Sequence, residues 1–130
     1  MSHHRDYVEG HLGDPVFRDE YTYQLLIHAL CMQRCVSAVY QGHVRLFCPH
    51  TIGSKHGTRR VLAYQYGGAS SKELGPPGSG ANWRCFIVSG LSEVKLIEGT
   101  WQTGPNHSVP QTCINDVVKE HHQRGDDDAQ

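Results

Sequence analysis

Residues 36–66 alternate apolar and polar side chains in short runs broken by glycine, a period of two that fits strands and leaves no room for a long helix. Val36, Ala38 and Tyr40 face one way and Ser37, Val39 and Gln41 the other. After a turn expected at Gly42-His43 the chain returns with Val44, Leu46 and Cys48 opposite Arg45 and Phe47. Pro49 is expected to end this strand, because it cannot donate to a ladder, and to leave His50 at the mouth of a basic loop over 52–57. Residues 58–66 form the clearest strand, with Arg60, Leu62, Tyr64 and Tyr66 against Arg59, Val61, Ala63 and Gln65.

The same stretch holds no carboxylate. All thirteen Asp and Glu lie in residues 1–20 or 73–130, whereas residues 21–72 carry six Lys or Arg, four His and no acid. The net charge of −1 argues against a chain that clings to any nucleic acid by charge alone. Segregated charge nevertheless permits one positive face on a domain that is nearly neutral overall. Strands are poor in Asp and Glu on propensity grounds as well, so β structure accounts for part of the gap.

At 130 residues the chain is expected to form one domain over 21–122, preceded by a polar arm, 1–20, and followed by a solvated, disordered acidic tail, 123–130. Tyr23, Ile27, Leu30 and Arg34 recur at spacings of three and four, which predicts a helix over 21–35 with Asp19 as its N-cap. Gly, Ser and Pro make 67–81 a loop, and a mobile one by composition. Strands follow over 82–89, with Trp83, Cys85 and Ile87 opposite Arg84, Phe86 and Val88, and over 94–101. Ile114, Val117, Val118 and His121 suggest a short C-terminal helix over 113–122. The five cysteines are odd in number and irregularly spaced, so they read as reduced thiols. No run of 18 apolar residues and no signal-peptide pattern is present, so the expected compartment is the cytoplasm, with no membrane partner.

Five short strands in about 65 residues are too few for two packed sheets. The expected fold is mainly β with flanking helices, a small five-stranded barrel with an N-terminal and a C-terminal helix over its ends.

Tyr40, Gly42, Arg45 and Pro49-His50, then Arg60-Val61-Leu62-Ala63-Tyr64, then Arg84-Cys85-Phe86 together resemble the WYL domain of bacterial transcriptional regulators. The Trp-Tyr-Leu signature stands here as Arg60-Val61-Leu62, and Gly90 occupies the position of a second arginine. The resemblance implies an Sm-like, SH3-type barrel that senses a negatively charged ligand, a nucleotide or single-stranded nucleic acid. The 35 residues before the barrel hold no winged helix-turn-helix, so a free-standing sensor is implied, one that acts on a separate DNA-binding regulator or as a homo-oligomer.

Arginine forks suit phosphate oxygens, and aromatic rings stack bases at about 1 to 3 kcal/mol each. Arg45 and Arg84 are therefore the expected phosphate ligands, His50 a donor at the loop mouth and Tyr40 a polar or stacking neighbour, with Lys55, Arg60 and Trp83 in a second rank. Arg59 and Arg60 are adjacent and point apart, so at most one belongs to the site. On this reading Arg45→Ala and Arg84→Ala each weaken ligand binding and leave the melting temperature nearly unchanged. The chain is not expected to be an enzyme or to carry a cofactor, because it lacks a nucleophile elbow, a phosphate-binding glycine loop and a His-Glu-x-x-His motif. Two other classes compete with the sensor. One is a constitutive Sm-like oligomer that binds single-stranded RNA or DNA; the other is a metal- or thiol-dependent hydrolase built on Cys48-Pro49-His50.

Overall fold

The computed structural model describes residues 15–105 and 112–120. Most of the expected arm and all of the acidic tail lie outside these residues, as do His121 and His122 of the expected C-terminal helix. Among the described residues there is one α-helix, α1, which spans Pro15–Met32 and so begins six residues earlier than the periodicity suggests. Asp19 is therefore inside the helix, not its cap. The helix stops where Gln33 adopts φ 53°, with Arg34 N donating to Ala29 O at 2.8 Å and Gln33 N to Leu30 O at 3.3 Å, the paired bonds of a Schellman stop. Cys35 consequently leaves the helix and opens the first strand, while Cys31 stays exposed on it.

Six strands follow among the described residues: β1 (Cys35–Tyr40), β2 (His43–Lys55), β3 (Thr58–Gly68), β4 (Trp83–Ile87), β5 (Leu91–Ile97) and β6 (Asp116–Glu120). They form one antiparallel sheet in the order β4-β3-β2-β1-β5, with β6 on β2. No ladder joins β4 to β5 among the described residues, so the sheet is open. A single 3-10 turn, Val88–Gly90, carries the chain from one end of the sheet to the other. Ile87 N donates to Tyr40 Oη at 3.2 Å, which ties β4 to β1 through a side chain.

Several expectations are corrected. The first hairpin turns at Gln41 and Gly42, both at positive φ, and the second at His56 and Gly57, also both positive; this is the geometry that matches strand twist in two-residue hairpins. The basic loop over 52–57 does not exist as a loop, because β2 continues through Pro49 to Lys55. Proline is tolerated there because β2 has no neighbour on that side between Phe47, opposite Val36, and Thr51, opposite Glu120. In place of the C-terminal helix, residues 116–120 pair with β2 as β6. Cys85 and Cys113 form a disulfide, so only Cys31, Cys35 and Cys48 are thiols.

The helix buries Tyr23, Leu26, Ala29 and Leu30 against Val36, Ala38, Phe47, Ile52, Val61 and Phe86 on one face of the sheet. A large apolar side chain buried this way contributes about 1.5 to 3 kcal/mol relative to exposure. The opposite face is covered by the chain after β5. There Cys35 Sγ donates to Thr100 O at 3.4 Å, Gln102 N donates to Cys48 Sγ at 3.2 Å, and Trp83 Nε1 donates to Pro105 O at 2.8 Å.

Candidate functional site

Register decides which side chains meet. Ala38 lies opposite Arg45, Phe47 opposite Gln65, and Ala63 opposite Arg84, so β2, β3 and β4 present Arg45, Gln65 and Arg84 on the helix-side face, at the end of the sheet beyond Phe47 and Phe86. The loop after β3 folds back over them, held by Gln65 Nε2 donating to Gly67 O at 2.9 Å and Ala69 O at 2.8 Å. Asn82 fixes its far end, accepting from Gly75 N at 2.7 Å, and Tyr64 Oη donates to Ser79 O at 2.7 Å. A segment rich in glycine and serine is thereby pinned along its length.

Between this loop and the sheet lies a cleft of about 280 Å³, with Tyr40, Arg45, Ser70, Lys72 and Arg84 among its walls. Arg45 is 2% exposed. Its Nε and Nη2 donate to Tyr40 O at 3.3 and 3.1 Å, and its Nη1 to Gln65 Oε1 at 3.2 Å and Ser70 Oγ at 3.0 Å. The guanidinium also sits 5.5 Å from the Tyr40 ring centroid and 5.6 Å from that of Phe86, within cation–π range. Arg84 donates from Nε to the same Ser70 Oγ at 3.2 Å, from Nη1 to Ala81 O at 2.7 Å and Trp83 O at 3.1 Å, and from Nη2 to Lys72 O at 3.0 Å.

Among the described residues no carboxylate lines the cleft. Burial pushes the Arg45 guanidinium below its ordinary value and the charge of Arg84 pushes it further; burial alone pushes Arg84 down. Arg59 makes the contrast. It pairs with Glu20 at 2.9 Å and Asp19 at 3.2 Å, and its guanidinium lies 4.0 Å from the Tyr23 ring centroid.

The seven residues expected at the site divide between the two faces of the sheet. Tyr40, Arg45 and Arg84 come together in the cleft, and Trp83 contributes to its wall while its ring packs behind, 5.1 Å from Tyr64 and 4.9 Å from His50. His50 is not at a loop mouth. It is the extra residue of a bulge, since Pro49 faces Ala63 and Thr51 faces the adjacent Leu62. Its ring is fully buried, 4.7 Å from Trp101, with Nδ1 2.9 Å from Cys48 O. Lys55 lies at the far hairpin, where Nζ donates to Thr112 O at 2.6 Å. Arg60 is on the covered face, with Nη1 3.9 Å from Cys85 Sγ.

Burial pushes the Cys48 thiol up to about 12, and His50 Nδ1 lies 2.9 Å from the Cys48 carbonyl oxygen. Sequence reasoning missed Gln65, Ser70 and Lys72. Gln65 was visible as the neighbour of Ala63 on the face of Arg45, whereas the two loop residues carried no periodic signal.

The fold and the cleft define a mainly β chain that holds one buried and one half-buried arginine under an anchored loop. No family model, curated protein or solved structure matches it.

Proposed function

We propose that this chain is a non-enzymatic sensing domain whose cleft takes a negatively charged, phosphate-bearing ligand, and that it serves transcriptional regulation as the WYL resemblance implies. The observation that carries this reading is the meeting of a buried Arg45 and a half-buried Arg84 on one hydroxyl, with no counter-charge among the described residues lining the cleft. Like charges held together out of water each raise the free energy of the other, and an anion between them relieves both. The cleft volume, about 280 Å³, sits at the small end of ligand pockets, about 300 to 1,000 Å³, and suits a nucleotide better than a strand.

The constitutive single-strand binder requires a continuous basic track. Lys55 and Arg60 are away from the cleft, and Arg59 is already paired with Asp19 and Glu20, which favours the pocket. The Sm-like barrel belongs to this proposal; across the open sheet the Tyr40 bond to Ile87 ties β1 to β4 and the 3-10 turn joins β4 to β5, which supports it. So does action through a separate DNA-binding regulator or a homo-oligomer. Among the described residues no helix is long and apolar enough to cross a membrane. The disulfide sits awkwardly with a cytoplasmic location, where thiols are kept reduced.

The test is equilibrium binding of the full chain to a panel of nucleotides and oligonucleotides at 50 and 200 mM salt. A pocket for one phosphate group loses affinity only a few-fold over this range, whereas a groove spanning 6 to 10 phosphates loses about 10³ to 10⁵. Nucleotide binding with shallow salt dependence, abolished in Arg84→Ala, is the expected result. Steep dependence with a preference for long oligonucleotides would establish the groove, and binding unaffected by Arg84→Ala would remove the cleft from the account.

A further inference from the structure

The reading of the cleft as an anion site leaves open which anion, and the hydrogen bonds around Ser70 narrow it. Ser70 Oγ accepts from Arg45 Nη1 at 3.0 Å and from Arg84 Nε at 3.2 Å. A hydroxyl has two lone pairs and one hydrogen, so both lone pairs are taken and only the O–H is left to act. Each guanidinium has five N–H donors. Arg45 commits one from Nε, one from Nη2 and two from Nη1. Arg84 commits one from Nε, two from Nη1 and one from Nη2. One Nη2 hydrogen of each arginine therefore has no acceptor among the described residues. With Ser70 and Lys72 also on its walls, these hydrogens line a cleft to which no carboxylate of the described residues contributes.

We propose that the cleft holds a phosphate monoester as its dianion, and that the Ser70 O–H donates to one of its terminal oxygens. This rests on the anion-site reading and deepens it. A monoester offers three terminal oxygens and, above its second pKa of about 6, two negative charges. A diester inside a nucleic-acid strand offers two non-bridging oxygens and one charge. A cleft that brings the Arg45 and Arg84 cations together at the Ser70 hydroxyl, with hydroxyl and guanidinium hydrogens to place, complements the first far better.

The experiment is calorimetric titration of the full chain with two probes at pH 5 and pH 8. One is adenosine 5′-monophosphate; the other is the dinucleotide adenylyl-adenosine, which has a diester and no terminal phosphate. Among the described residues the charged ones lining the cleft are Arg45 from β2, Arg84 from β4 and Lys72, exposed on the loop; Tyr40 from β1 contributes a phenol, Cys85 is disulfide-bonded, and no histidine is among them. The diester controls for ionisations elsewhere in the chain.

The monophosphate should bind about tenfold more tightly at pH 8 than at pH 5, as its dianion fraction rises. The diester should bind at least tenfold more weakly at pH 8 and show no such change. Ser70→Ala should reduce the preference for the monophosphate several-fold, and Ser70→Thr should restore it. Equal binding of the two probes, or pH-independent binding of the monophosphate, would overturn the monoester assignment and leave the anion site standing. An unchanged preference in Ser70→Ala would remove Ser70 as a donor. No binding of either probe, together with none from the wider nucleotide panel, would sink the anion site and this inference with it.

Discussion

Arg45 on β2 and Arg84 on β4 donate to a single acceptor, the Ser70 hydroxyl, at 3.0 and 3.2 Å. Their partners are otherwise backbone carbonyls and the Gln65 amide oxygen, all neutral. The hydrogen bonds fix the two forks in place, and among the described residues no carboxylate compensates their charge. Preorganised cations of this kind lose little on meeting an anion, because neither side chain has to be ordered when the ligand arrives.

The two arginines should differ in what they contribute to stability. Arg45→Met strips buried acceptors of their donor and should lower the unfolding free energy by roughly 2 to 3 kcal/mol, whereas Arg84→Met, half-buried and bonded to loop carbonyls, should lower it by roughly 1 kcal/mol. Urea unfolding of both variants measures this. The expectation from sequence is that both can be removed at nearly unchanged melting temperature; the burial of Arg45 predicts a loss there instead, because it commits the side chain to the fold as well as to the cleft. Equal losses in the two variants would contradict the assignment of Arg45 as the deeper residue.

Thiol counting tests the covalent structure. The unfolded, unreduced chain should react at three cysteines and the reduced chain at five. In the native state Cys31, exposed on α1, should react fastest and Cys48 slowest, because burial pushes its thiol up to about 12. The double variant Cys85→Ser with Cys113→Ser should lose about 3 to 4 kcal/mol, given the 28-residue separation that the bond closes. Five reactive thiols without reductant would contradict the disulfide.

Gly90 and Tyr40 should be energetically coupled. A Cβ on Gly90 would lie 2.9 Å from the Tyr40 ring, whose hydroxyl accepts from Ile87 N. Gly90→Ala should cost about 1 to 3 kcal/mol by overpacking, and Tyr40→Phe roughly 1 kcal/mol through the stranded N–H. Because a displaced ring already loses the Ile87 bond, the double variant should cost less than the sum. Strict additivity in a thermal-unfolding cycle would mean that the ring does not bridge β1 and β4.

Much of the cleft was legible in the alternation of side chains. Period-two patterning put Arg45 with Phe47 and Arg84 with Phe86, and antiparallel register carries both pairs to one face. The same patterning also placed Arg60 and Trp83 on the opposite side of their strands from Val61 and Arg84, so grouping them with Arg45 and Arg84 set aside information already in the sequence. His50 was not legible. A bulge shifts the alternation by one residue, and nothing local to Pro49-His50 announces it. Residues 116–120 were misread because Ile114, Val117 and Val118 also fit helical spacing; the pairing that makes them a strand is supplied by β2, far away in sequence.

The central claim is that Arg45 and Arg84 receive one anion together. Nitrogen-edited NMR of the arginine Nε–H resonances, followed while adenosine 5′-monophosphate is added to the full chain, observes both side chains without altering either. The account predicts that the Arg45 and Arg84 resonances move along one shared saturation curve while that of Arg59, held by Asp19 and Glu20, stays in place. Movement at Arg59 or Arg60 with Arg45 and Arg84 unmoved would contradict it.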